Sequence, residues 1–123
     1  MSLVAARIRV LNSLLFIKDA QERDLPIIDR GGPIWSTKSC VAVSCMPDCD
    51  GSTEVIIGDS PTGVGERGNL IFDAWLETPA RKVVVETVLG EKILEQNVPN
   101  ATTHVRIWTY GSLDTDRIIV GLE

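Results

Sequence analysis

The hydrophobic and polar positions of this 123-residue chain follow the two-residue period of β-strands far more than the 3.6-residue period of helices. Between Arg7 and Lys18 the even positions Ile8, Val10, Leu14 and Phe16 fall on one face, with Leu11, Leu15 and Ile17 opposite. The pattern predicts one long strand, bulged near Asn12-Ser13, with the even positions facing the core. A polar connection follows from Asp19 to Gly32, ending in the turn signal Asp29-Arg30-Gly31-Gly32-Pro33. Further strands are predicted at Cys40 to Cys45 and Thr53 to Ile57, with a hairpin signal at Asp50-Gly51 between them. After a glycine-rich loop from Gly58 to Gly68, Leu70, Phe72, Ala74 and Leu76 alternate with Ile71, Asp73, Trp75 and Glu77, the mark of a half-buried strand. Lys82 to Val88 and Glu91 to Val98 flank Leu89-Gly90 as a tight hairpin. Thr103 to Thr109 and Ile118 to Leu122 complete the series.

Seven or eight strands at this spacing predict an all-β fold, an antiparallel β-sandwich in one domain over residues 1–123, with at most one short helix in 19–30 or 36–41. The expected core comprises Leu14, Phe16, Val41, Val43, Val55, Ile57, Phe72, Val83, Val85, Val105, Ile107, Ile118 and Val120. Composition agrees: Val, Ile and Thr supply 34 residues against seven Ala. The N-terminal stretch carries no long apolar run ahead of its first charges, so a cytoplasmic location is expected.

Charge changes the picture more than composition does. The net charge is −5, yet residues 45–80 alone carry −6, with Arg67 against seven carboxylates. An acidic surface repels phosphate and anionic lipid, so the expected partner is a basic protein, with no nucleic acid and no membrane. Asp48, Asp50, Glu54 and Asp59 are the candidate contacts in this stretch. The competing view is a solvated face that keeps the chain soluble.

Candidate chemistry is sparse. Cys40, Cys45, Cys49 and His104 lack the paired spacing of a zinc site, and Cys40 and Cys45 fall on opposite faces of a strand. Asp48, Asp50, Gly51 and Glu54 echo the middle of a calcium loop without its register. No glycine-rich phosphate loop opens a helix. No metal and no cofactor are therefore expected. His104, Arg106 and Trp108 share the face opposite Val105 and Ile107, which makes them candidates for binding a partner. Alternatively, Trp108 covers the open side of its own sheet.

The strand layout resembles the competence protein J family, small inhibitors of the DNA-entry nuclease of naturally competent bacteria. The likeness runs through Asn12-Ser13-Leu14-Leu15-Phe16-Ile17, Pro33-Ile34-Trp35-Ser36, Arg81-Lys82-Val83-Val84-Val85, Val98-Pro99-Asn100-Ala101, Val105-Arg106-Ile107-Trp108-Thr109 and Asp116-Arg117-Ile118-Ile119-Val120. It transfers no inhibitory residue one by one. The resemblance implies a β-sandwich that works by binding another protein, as inhibitor or immunity-like partner of a bacterial nuclease or toxin. A non-enzymatic protein-binding domain is the reading taken. Two alternatives stand beside it: a small-molecule-binding or enzymatic β domain with a pocket near His104 and Trp108, and a structural subunit of a bacterial assembly, which would form a homo-oligomer.

Overall fold

A computed structural model describes residues 3–21, 25–29, 32–59, 68–110 and 115–123. Ten strands occur among them: β1 (Leu3–Ile8), β2 (Leu14–Asp19), β3 (Ile34–Ser36), β4 (Cys40–Ser44), β5 (Thr53–Gly58), β6 (Asn69–Glu77), β7 (Lys82–Thr87), β8 (Lys92–Asn97), β9 (Thr102–Thr109) and β10 (Arg117–Leu122). They form two five-stranded sheets, sheet I in the order β1-β5-β10-β9-β6 and sheet II in the order β3-β4-β2-β7-β8. All pairs are antiparallel except β5 with β10. The all-β sandwich read from the sequence is the observed architecture, with β1 and the three-residue β3 bringing the strand number to ten among the described residues.

The expected long first strand is instead two. A 3-10 turn at Leu11–Ser13, with Asn12 at φ 59° and Ser13 at φ 55°, breaks it, and the chain passes from sheet I to sheet II. The left-handed backbone that Asn tolerates ends the pairing. It also inverts the face that points inward. Val10, Leu15 and Ile17 enter the core between the sheets, whereas Leu14 and Phe16 point to the far side of sheet II, in a second cluster with Cys40 and Ala42. Both remain buried, but not where alternation places them.

Ten of the thirteen expected core residues lie in the inter-sheet cluster: Val41, Val43, Val55, Ile57, Val83, Val85, Val105, Ile107, Ile118 and Val120. Phe72 is only half-buried and packs against that cluster's edge. β6 is an edge strand of sheet I, so the ring lacks a neighbouring strand on one side. The register between β6 and β9 shifts between Leu70 and Phe72, and the extra residue puts Leu70 on the outer face with 49% of its surface exposed.

The Asp50-Gly51 signal does not close a hairpin. β4 pairs with β2 and β3 in sheet II, while β5 pairs with β1 and β10 in sheet I, so residues 45–52 cross between sheets. The amide of Asp50 bonds to the Pro47 carbonyl at 3.0 Å, and Gly51 takes φ 147°. The Leu89-Gly90 hairpin does form, joining β7 to β8 with Gly90 at φ 83°, a conformation glycine adopts without steric cost.

No helix occupies 36–41, where a tight turn carries the Thr37 amide to the Cys40 carbonyl at 2.8 Å. None appears in the described part of 19–30. Residues 22–24 and 30 lie outside the described residues, as does 60–67 of the expected glycine-rich loop.

Candidate functional site

Alternation along β9 sends Thr103, Val105 and Ile107 into the core and leaves His104, Arg106 and Trp108 on the outer face of sheet I. Register then decides what each meets. Trp108 lies between Leu70 of β6 and Ile119 of β10, Arg106 between Asp73 and Gly121, and His104 opposite Trp75. Ile56, Trp108 and Ile119 make a small apolar cluster on this face. Trp108 keeps only 7% exposure, with the Arg106 guanidinium 5.4 Å from its ring centroid. Its placement is that of a cover over its own sheet rather than a projecting anchor.

The projecting aromatic is Trp75, on the edge strand β6, with 67% of its surface exposed. Its indole stacks on the His104 ring, centroids 5.2 Å apart at 24°. The His104 Nε2 bonds to the Asp73 carboxylate, and its Nδ1 lies 3.9 Å from the Glu123 carboxylate. Glu123 also pairs with the Arg106 guanidinium. Among the described residues the polar side-chain contacts of His104 are carboxylates alone. A flat exposed indole beside the Asp73 carboxylate suits a guanidinium or ammonium group, which gains both ring and charge contacts, while Glu123 is already paired with Arg106.

The acidic stretch is not one patch. Glu54, on the outer face of β5, is neutralised between Arg117 Nε at 3.1 Å and Arg7 Nη2 at 3.8 Å. Asp48 and Asp50 belong to the crossing at the same end of the sheet, where the Arg9 guanidinium donates to the Asp48 carbonyl at 2.6 Å. Asp59 follows Gly58, which pairs with Gly121, and so lies toward the His104 end. The candidates therefore divide, with Asp48, Asp50 and Glu54 at one end of sheet I and Asp59, His104 and Arg106 toward the other. Glu66 and Arg67 lie outside the described residues.

Trp75, Asp73 and Glu123 were not singled out by sequence reasoning. One signal for Trp75 is in reach: it shares the polar face of a half-buried strand with Asp73 and Glu77. What it and Glu123 lacked was the pairing order that brings both to His104.

The cysteines separate as their parity predicts. Cys40 is buried beyond sheet II and Cys45 between the sheets, while Cys49 is exposed. Burial pushes the Cys45 thiol up to about 11, opposed in small part by the neighbouring Thr53 hydroxyl. A groove of about 610 Å³ lies on the outer face of sheet II, lined by Phe16, Lys18, Leu25, Glu86 and Val88 among others; it includes neither His104 nor Trp108.

No family model matches the chain, and no curated protein matches it in sequence. Among solved structures, the fold is similar to that of ComJ, inhibitor of the DNA degrading activity of NucA, from Bacillus subtilis, with a TM-score of 0.73. The match covers 97% of this chain and 93% of that one, at 9% sequence identity. The similarity is one of fold, and it agrees with the family resemblance read from the sequence.

Proposed function

We propose that this protein is a non-enzymatic binding domain that holds a basic protein partner against the outer face of sheet I, at the end carrying Trp75, Asp73, His104 and Glu123, and acts as an inhibitor of that partner. The observation that carries this reading is Trp75: an indole 67% exposed, held flat by His104 and bordered by carboxylates. Exposed aromatics of this kind supply much of the binding energy at interfaces. The fold likeness to a nuclease inhibitor supports the class of partner, because an enzyme that degrades DNA presents a basic groove to phosphate. Carboxylates placed where phosphates lie are drawn to such a groove, and the charge complementarity speeds association.

The test is capture from lysate of the source cell at low salt, identification of the retained protein, and titration of its activity with the purified chain. A stoichiometric loss of nuclease activity is expected, relieved at least about tenfold by Trp75→Ala, the scale of an interface hot spot. Inhibition unchanged by Trp75→Ala and by Asp73→Asn with Glu123→Gln would overturn the placement of the site. Capture of no basic protein would overturn the reading itself.

A further inference from the structure

A β-sandwich has four sheet edges, each a row of unpaired backbone groups that folded proteins blunt by shortness, charge or cover. Here β3 is three residues long. β8 carries Lys92, paired with Glu95, and lies against β1, so those two edges shield one flank. The remaining edge is β6. It spans nine residues, Asn69–Glu77, and within that span holds neither Lys nor Pro.

The direction of its backbone groups follows from one hydrogen bond. In an antiparallel ladder, alternate residues point their N–H and C=O toward the neighbouring strand and the others point away. The Glu77 amide donates to the Lys38 carbonyl at 2.7 Å, outside sheet I. Glu77 therefore belongs to the outward set. The only register shift of β6 lies between Leu70 and Phe72, so Trp75 and Asp73, two and four residues back, point the same way. Among the described residues, neither uses its outward N–H in a backbone bond beyond the sheet.

We infer that β6 accepts an extended segment of the basic partner as an added strand of sheet I, docked on the outward backbone groups of Asp73 and Trp75. The occupant is set by what flanks that edge. Asp73 and Glu77 are its charged side chains. A second copy pairing with itself would bring like carboxylates together, whereas a segment alternating Lys or Arg with apolar residues meets Asp73 and the face of Trp75, Glu77 being paired with Lys38 at 3.9 Å. This rests on the reading that the chain binds a basic protein, and adds how the partner is held.

The probe is a library of random linear twelve-residue peptides, selected on the immobilised full chain. Enrichment of sequences alternating Lys or Arg with β-branched or aromatic residues is expected. A synthetic peptide from that selection should slow hydrogen exchange of the Asp73 and Trp75 amides at least about tenfold and leave the Ala74 amide, which faces β9, unchanged. Asp73→Pro, which removes an outward N–H that β9 does not use, should abolish binding, while Asp73→Asn retains it with a weaker salt dependence. No enrichment, or binding that leaves both amides unprotected, would overturn the inference. The wild-type exchange measurement decides the matter even if the proline variant does not fold. If the natural partner loses affinity on Trp75→Ala yet protects neither amide, the partner uses the face and only the added strand is wrong; if neither effect appears, both readings fail.

Discussion

The layer between the two sheets and the layer outside sheet I are built from the same strands by opposite choices. Inside, β9 contributes Val105 and Ile107, β10 contributes Ile118 and Val120, and β5 contributes Val55 and Ile57, all with no exposed surface. Outside, the alternate positions of the same strands carry His104, Arg106, Trp108, Arg117, Ile119, Glu123, Glu54 and Ile56. The inner layer is aliphatic and interchangeable in chemistry, so its information is mainly volume and shape. The outer layer holds the histidine, two of the three tryptophans and the charge pairs of sheet I, and each depends on a particular neighbour across the sheet. On the proposed function, stability belongs to the first and recognition to the second, and that division can be tested.

The largest expected effect is on the inner side. Leu15→Ala or Ile107→Ala should each cost about 2–5 kcal/mol in denaturant unfolding, because both side chains are fully buried. Trp75→Ala, though it deletes a larger side chain, should cost about 1 kcal/mol or less, since it loses a stacking contact and little burial. A Trp75→Ala loss as large as that of Leu15→Ala would show that the outer layer is part of the core.

The two layers also differ in how far they can be read from sequence. Alternation marks Val105, Ile107, Ile118 and Val120 as core because a strand with no insertion keeps its parity. It misplaces Leu14 and Phe16 because the left-handed pair Asn12 and Ser13 inserts a turn that flips it, and periodicity carries no count of residues lost to a turn. The same applies at Ile71, where a bulge turns Leu70 outward. On the outer layer, the orientation of His104, Arg106 and Trp108 is legible from β9 alone. Their partners are not. Trp75 comes from 29 positions earlier and Glu123 from 19 positions later, and what joins them is strand order, which no local pattern encodes. The acidic stretch is misleading for the same reason: contiguous in sequence, it is divided by the length of β5, with Glu54 neutralised by Arg7 and Arg117 at the same end as Asp48 and Asp50.

Cys45 sharpens the comparison from within the inner layer. Its thiol ionises near 11 in the folded state against 9.0 ordinarily, chiefly because burial disfavours the thiolate. A pKa raised on folding gives stability that is fully present below about pH 9 and is lost as pH rises toward 11. Unfolding free energy should therefore fall between those values by at most about 2–3 kcal/mol, beyond any fall seen in Cys45→Val. Equal alkaline slopes in the two proteins would show that Cys45 is solvated. Thiol labelling offers an independent check. Exposed Cys49 should react with a neutral maleimide at once, and Cys40 and Cys45 only on unfolding.

The smallest expected effect concerns charge on the outer layer. Asp48→Asn, Asp50→Asn and Glu54→Gln together remove three negative charges from the Arg7–Arg117 end of sheet I. β5 is six residues long, so this end is about 20 Å from Asp73 and Glu123 at the usual rise per strand residue. That exceeds a Debye length of about 8 Å at physiological ionic strength. The triple variant should change the association rate with the captured partner by less than about twofold there, with a larger effect only at low salt. Asp73→Asn with Glu123→Gln removes fewer charges, yet should slow association severalfold at the same ionic strength, because in the proposed complex these carboxylates border the contact itself. Stopped-flow association measured across a salt series separates the two. If the triple variant is the slower one, the partner lies over the Asp48 and Asp50 crossing, and the binding region belongs at the opposite end of the sheet from Trp75.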